Sequence, residues 1–266
     1  MNCFDIFSGI GGMSLGMEKA GMKTIAFCEI GKMQQEILKR NWPGIPIFND
    51  IREIKEIDAN IISKPDIIAG GDPCPIRSRA RSNGASKHPD LSGYFLALVG
   101  KLRPKWVVRE NVLASDDFHF ASALEFLGYR TVIVRTDAAT ITGQSRQRDF
   151  IIGCSEETGP SFQRFIQNFQ HGSGTYKTRL DTRPVIPALT THRTRYDSRD
   201  CYIWEEKRGL RILDSEEREA FAGFPKEWLT GLSEAACAKL FGNSIVPKVA
   251  YIIGKAIMES ESNATN

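Results

Sequence analysis

Asn2-Cys3-Phe4-Asp5-Ile6-Phe7-Ser8-Gly9-Ile10-Gly11-Gly12 opens the chain, and its reading decides the fold. Residues 2–7 read as a short strand and residues 8–12 as a glycine-rich turn. Met13 to Ala20 then carries Met13, Leu15, Met17 and Ala20 at helical spacing, and Gly21 ends the helix. Strand, glycine turn and helix are the opening of a nucleotide-binding βαβ unit. A dinucleotide fold shows three spaced glycines and an acid ~20 residues on. The acid here is Glu29, at the end of the strand Lys23 to Cys28, where a carboxylate suits the hydroxyls of a ribose. Asp5-x-Phe7 offers a carboxylate and an aromatic face rather than a phosphate cradle, which points to an adenosine compound without pyrophosphate. An ordinary αβ connection explains the glycines equally well, so the rest of the chain has to decide.

Working outward, Met33 to Asn41 is a second helix and Ile45 to Phe48 a third strand, ending in Asn49-Asp50-Ile51. Asp50 is a second acid at a strand's carboxyl end, placed to accept from an exocyclic amine. Asn-Asp also caps helices and makes turns. A helix is expected over 54–63. Pro65 to Ala69 reads as a buried strand that runs into Gly70-Gly71-Asp72-Pro73-Cys74-Pro75-Ile76-Arg77-Ser78-Arg79-Ala80-Arg81. The two prolines stiffen the loop around Cys74. In open α/β sheets ligands bind at the carboxyl ends of strands, and nearby arginines favour the thiolate, which is the nucleophilic form. The alternative is a buried structural cysteine beside a solvated basic loop.

The helix Tyr94 to Leu102 leads to the strand 104–112, which ends in Glu110-Asn111-Val112. A charge there is either functional or paired with Arg109 or an arginine of the Cys74 loop. After the helix Phe118 to Leu127 and the strand Arg130 to Thr136 comes Gln144-x-Arg146-x-Arg148, leading into the strand 149–154. Arginines two apart on extended chain point the same way. Arg146 and Arg148 therefore make a cationic face, or else a solvated strand edge.

Strand and helix alternate through Gly153, which predicts an α/β fold with a doubly wound, mostly parallel sheet. The alternation breaks at Thr158. Residues 158–205 are polar and basic with interleaved aromatics, a composition that suits phosphate contacts and base stacking, or an irregular insertion. The expected organisation is a catalytic and cofactor-binding domain over 1–157, a small irregular second region over 158–205, helices returning to the catalytic domain over 206–258, and a frayed tail over 259–266.

The 266 residues carry a net charge of +3, too small to imply nucleic acid by itself. Six scattered cysteines form no C-x-x-C pair, which excludes a recognisable zinc motif and a dense disulfide frame. No signal peptide or membrane span is evident, so a reducing cytoplasm, no membrane and no metal are expected.

Taken in order, Asp5 to Gly12, Glu29, Asn49-Asp50-Ile51, Gly70 to Cys74, Glu110-Asn111-Val112, Gln144-x-Arg146-x-Arg148, Gly223-Phe224-Pro225 and Gly242-Asn243-Ser244 resemble the cytosine-C5 DNA methyltransferase family over residues 2–258, apart from 158–205. The resemblance implies the S-adenosylmethionine-dependent methyltransferase fold and S-adenosylmethionine as cofactor. Asp5, Phe7, Ser8, Gly9, Gly11, Gly12, Glu29, Ile30, Asp50, Ile51, Asp72, Pro73, Asn243 and Ser244 would line its pocket. It implies addition of the Cys74 thiolate to C6 of a flipped-out cytosine. Glu110 would act at N3, Arg146 would hold O2 and Arg148 would brace the site. Arg77, Ser78, Arg79, Arg81 and Gln144 would contact double-stranded DNA.

Three features depart from the family. Pro75 stands where glutamine is usual, Ile76-Arg77-Ser78 replaces small and aromatic residues, and the target-recognition region is much shortened. A short target site, relaxed specificity, or a second subunit or homodimer would follow. The resemblance also implies a bacterial, archaeal or phage source and restriction–modification. Two other readings stand beside it: a C5 methyltransferase acting on RNA, and a non-catalytic cofactor- and DNA-binding regulatory subunit.

Overall fold

The computed structural model describes residues 1–54, 64–73, 90–112, 116–155, 160–172, 202–205 and 209–262. Strand β1 (Asn2–Ile6) leads through the glycine turn to helix α1 (Gly12–Lys19) and then to β2 (Lys23–Cys28), as the opening stretch predicts. There follow α2 (Lys32–Asn41), the two-residue strand β3 (Ile47–Phe48), a 3₁₀ turn (Ile51–Glu53), β4 (Ile67–Gly70), α3 (Ser92–Leu102) and β5 (Trp106–Asn111). The next elements are α4 (Asp116–Phe126), β6 (Tyr129–Asp137), the single turn α5 (Ala139–Thr142), β7 (Gln147–Ser155) and α6 (Ser161–Gly172). A two-stranded antiparallel ribbon, β8 (Tyr202–Glu205) and β9 (Gly209–Ile212), precedes α7 (Ser215–Ala222), α8 (Glu234–Asn243) and α9 (Pro247–Ser262).

The large sheet has the order β3-β2-β1-β4-β5-β7-β6. The first five strands pair in parallel, and β7 lies antiparallel between β5 and β6. This is the mostly parallel, doubly wound sheet expected, closed by an antiparallel pair. Alternate residues of each strand feed opposite core layers. On β5, Trp106 and Val108 face the layer built with Met13, Met17, Phe150, Phe165, Val249 and Ile253, while Val107 faces Phe95, Phe120 and Leu124. A third apolar cluster of Trp42, Phe224, Trp228 and Phe241 seats the C-terminal helices beside the glycine turn.

Two expected boundaries are corrected. Residues from Glu259 do not fray at once, because α9 continues to Ser262. The Trp106 indole donates to Glu261 at 2.9 Å, Lys105 pairs with the same carboxylate, and Arg164 donates to the Ser260 carbonyl at 2.7 Å. Helix α6, counted above with the irregular region, belongs to the main core, with Phe165 buried 5.6 Å from the Trp106 ring. The helix expected over 54–63 lies, from residue 55 on, outside the described residues.

Candidate active site

The carboxyl ends of β1, β2, β4 and β5 carry the chemistry, as the topology of an open α/β sheet requires. At the end of β1, Phe7 adopts φ +54°, a conformation that bulky residues rarely take, and its ring lies 6.3 Å from that of Phe95. Gly9 follows at φ +54°, and a Cβ there would meet nothing within 4 Å, so open space lies above the turn. Gly12 is the opposite case. Its Cβ would stand 2.2 Å from the Ile245 carbonyl, so the connection into α9 rests directly on the turn.

Two acids brace this turn from below. Glu29 accepts from Gly9 N at 2.7 Å and from Gly31 N at 2.8 Å. Burial raises its pKa above the ordinary value, against the pull of those backbone donors. Asp5 is fully buried, and its Oδ2 accepts from the backbone and the hydroxyl of Ser14, at 3.1 and 2.7 Å. Its Oδ1 has no partner. Burial pushes the carboxyl up to about 7, opposed by the Ser14 bonds and aided by Glu29 and Glu18. Beside Glu29, Ile30 is 66% exposed, an apolar surface left open at the rim.

Several expected pocket residues are otherwise committed. The Ser8 hydroxyl donates to the Asp5 carbonyl at 2.7 Å and is spent inside the turn. Both oxygens of Asp50 accept from Arg52, whose hydrogen bonds hold the carboxyl below its ordinary range. Ile51 is buried in the core, leaving only its backbone for a ligand. Asp72 is corrected most clearly. Its carboxylate forms a buried two-point ion pair with Arg109, at 2.5 and 2.8 Å, and Arg109 also lies 4.3 Å above the Phe120 ring. The Asp72 carboxylate is therefore committed to anchoring the strand end. Asn243 is exposed, while the Ser244 hydroxyl donates back to the Phe241 carbonyl.

At the end of β5, Glu110 lies over Gly71. A Cβ on Gly71 would stand 2.7 Å from Glu110 Oε2, so glycine three residues before Cys74 makes room for that carboxylate. Arg148 Nε is 2.8 Å from Glu110 Oε1 as an ion pair whose geometry makes no hydrogen bond at that oxygen. Of the two partners expected for Glu110, Arg109 is thus corrected, because it leaves on the opposite face of the strand. Glu110, Arg146, Arg148, Phe150 and Ile245 border one small cleft.

Both arginines do face the same cleft, but they do different things. Arg146, 6% exposed, donates Nη1 to the Gly242 carbonyl at 3.0 Å and Nη2 to the Ser244 carbonyl at 2.8 Å. Burial first and the Arg148 charge second lower its pKa to about 9, with Glu110 opposing, so it stays charged at neutral pH. Arg148 keeps 21% of its side chain exposed. Gln144, expected on DNA, is corrected: at 1% exposure it is buried. Cys74, Arg77, Ser78, Arg79 and Arg81 lie outside the described residues, as does most of 158–205.

Sequence reasoning did not single out Trp228 and Glu219. The Trp228 indole donates to the Ile10 carbonyl of the glycine turn at 3.0 Å, and Glu219 accepts from the backbone of Glu227 and Trp228. The signal was present as an acid one turn before Gly223-Phe224-Pro225 and an indole just after it.

Among the described residues no group of His, Cys, Asp or Glu could hold a metal ion, and no helix is long and apolar enough to cross a membrane. Comparison with known proteins gives one answer. The family model for C-5 cytosine-specific DNA methylase matches residues 1–203 and 161–259. The type II methyltransferase M.HindV of Haemophilus influenzae is 29% identical over 297 residues, spanning 98% of this chain and 97% of that one. M2.BsuMI of Bacillus subtilis, also a type II methyltransferase, is 25% identical over 100% of this chain and 77% of its own. A variant of DNMT2 from Spodoptera frugiperda superposes with a TM-score of 0.74 at 17% identity, over 97% of this chain and 99% of that one, so the fold is shared. The chain belongs to the C-5 cytosine-specific DNA methylase family and is a cytosine-C5 DNA methyltransferase.

Proposed function

We propose that the protein methylates C5 of a cytosine flipped out of duplex DNA, using S-adenosylmethionine and Cys74 as nucleophile. The observation that carries this reading is Glu110, paired with Arg148 and lying over Gly71 on the segment that leads to Cys74. A carboxyl and a guanidinium side by side match N3 and O2 of cytosine, one to donate at the ring nitrogen and the other to hold the carbonyl. This exchanges the two arginine roles implied by the family resemblance. Arg148 is partly exposed, with Nε beside Glu110 and Nη1 on the Gln147 carbonyl, and can turn its open edge to O2, whereas Arg146 is buried with both Nη groups on carbonyls.

The cofactor pocket fits an adenosine sulfonium on three counts: open space above Gly9, the unpartnered Oδ1 of Asp5, and the exposed Ile30 beside Glu29. Glu29 would hold the ribose hydroxyls, Ile30 and Phe7 would flank the adenine, and the Asp5 carboxyl, raised to about 7 by burial, would release its proton to balance positive charge near the turn. The cofactor supplies an electrophilic methyl group. The protein's part is to make C5 able to accept it. The Cys74 thiolate adds to C6, and the electron pair displaced from the C5–C6 double bond moves toward C5. Glu110, in its protonated form, gives its proton toward N3 and so relieves the negative charge there, and Arg148 relieves that at O2. Once C5 carries the methyl group, a base, water included, takes the C5 proton, that electron pair re-forms the C5–C6 double bond, and the Cys74 thiolate is expelled.

The bacterial type II relatives support a restriction–modification role inside the cell. The test is trapping on duplex DNA bearing 5-fluorocytosine, where fluorine cannot leave as the proton does. Wild-type protein should form a covalent adduct and Cys74→Ala none. Equal behaviour of the two, or an adduct with transfer RNA and none with DNA, would sink the proposal. Mapping modified positions on random-sequence DNA would then give the target length.

A further inference from the structure

We propose that Arg146 is a positioning residue that ties the wall of the target-base site to the cofactor pocket by pinning the chain over 242–245. The inference rests on the proposed reading for where the cofactor lies.

Arg146 sits just before β7, which carries Arg148. Its backbone N–H donates to Asp137 Oδ1 at 2.8 Å, and the same oxygen accepts from Ala139 N, so its main chain is fixed independently of its side chain. The guanidinium then reaches residues nearly one hundred positions away and caps α8 at its C-terminal end, through the carbonyls of Gly242 and Ser244. A cation there meets the negative end of the helix dipole and its orphan carbonyls. The next residue, Ile245, touches both halves of the active site. Its carbonyl stands 2.2 Å from the position of a Gly12 Cβ, and its Cδ1 stands 3.4 Å from that of Gly71, over which Glu110 lies.

The contacts therefore run from Arg146 to the end of α8, through Ile245, to the glycine turn on one side and to Gly71 on the other. A rigid guanidinium makes both bonds at once, whereas a lysine offers a point charge that does not reproduce the fork. Without Arg146 the 242–245 segment loses its described side-chain anchor from the chain that leads into β7, and the turn beneath Ile245 loses its cover.

The experiment compares wild type, Arg146→Lys and Arg146→Gln with a control, Arg164→Gln. Arg164 also donates to a carbonyl of the C-terminal helix, at Ser260, but lies outside the site. Binding of S-adenosylhomocysteine is measured by calorimetry, alongside thermal melting and duplex-DNA binding without cofactor. Both Arg146 variants should bind S-adenosylhomocysteine about 10- to 100-fold more weakly, Gln more so than Lys, as expected for loss of one or two charge-assisted hydrogen bonds. Cofactor-free DNA binding and ligand binding by Arg164→Gln should stay within about twofold of wild type. Ligand binding by Arg146→Gln equal to wild type would overturn the inference. So would an equal loss in Arg164→Gln, which would make the effect one of general stability. If neither Arg146 variant folds, amide exchange of the wild type decides: S-adenosylhomocysteine should slow exchange over 242–246 and 146–148 together, and protection of the first alone refutes the coupling. Failure of wild type itself to bind S-adenosylhomocysteine would instead refute the cofactor reading.

Discussion

Asp5 makes the stability of this protein depend on pH in a direction opposite to that of most carboxylates. Its carboxyl rises from the ordinary 3.8 to about 7, mainly because it is buried. Between those two values the folded chain holds a proton that the unfolded chain has released. The free energy of unfolding therefore falls as pH rises through this window, with a slope of up to about 1.4 kcal/mol per pH unit. The whole interval corresponds to about 4 kcal/mol, fully expressed above the folded value and absent below the unfolded one. The proton belongs on Oδ1, since Oδ2 already accepts two bonds from Ser14. Asp5→Asn cannot ionise, so the difference in urea stability between it and wild type isolates Asp5 from Glu29, Asp50 and Asp90. Asparagine's amide nitrogen shifts the variant by a constant amount and does not alter the slope. Wild type should lose about 2–4 kcal/mol relative to Asp5→Asn between about pH 4.5 and 7.5. A difference flat to within about 0.5 kcal/mol over that range would show that Asp5 is ionised throughout, and the burial argument would fail.

Other outcomes follow from the same geometry. Gly9→Ala should cost only about 1 kcal/mol of stability, because its Cβ enters open space at positive φ. It should nevertheless weaken S-adenosylhomocysteine binding, since that space is the proposed cofactor site. Gly12→Ala drives a Cβ into the Ile245 carbonyl and should cost clearly more stability, read from urea midpoints of the two variants side by side. Asp72→Ala leaves the buried Arg109 charge with Asp117, 3.5 Å away, as its remaining ion-pair partner among the described residues and should destabilise by about 3–5 kcal/mol. A loss under about 1 kcal/mol would mean that the pair is not formed in solution. Glu110→Gln and Arg148→Met should each lower methyl transfer by about 10²-fold or more while the melting temperature changes little, because neither is a core anchor. Of six cysteines, Cys3, Cys28, Cys154 and Cys237 are buried, so a thiol reagent should modify no more than the other two in native protein. Reaction of a third before unfolding would contradict the packing.

The fold was legible where local pattern and tertiary structure agree. The β1, glycine turn and α1 opening is marked by a short apolar strand, punctuating glycines and helical spacing, all within twenty residues. The antiparallel insertion of β7 between β5 and β6 was not legible, because strand order there is set by pairings such as Glu110 with Phe150, forty residues apart. The end of α9 was misread for a related reason. Glu259 to Ser262 is polar and looks like a tail, yet Trp106 and Lys105 on a distant strand hold Glu261 in place.

At the site, residue types were legible but their partners were not, and alternation along a strand explains why. Arg109 and Glu110 are neighbours, so they leave β5 on opposite faces. Arg109 joins the α3–α4 layer, where Asp72, Asp117 and Phe120 neutralise and cover it. Glu110 enters the cleft on the other face, where Arg148 meets it. An acid in a motif can therefore serve the reaction or the scaffold, and spacing alone does not say which. Asp72 and Glu110 both end strands in chemically suggestive runs, yet only one has its carboxylate beside an arginine that is still open to solvent. The same test separates Arg148, whose side chain is 21% exposed, from Arg146, which is 6% exposed with both Nη groups on carbonyls. A charged group buried among internal carbonyls can position a substrate's surroundings, whereas contact with the substrate requires a face still open to solvent.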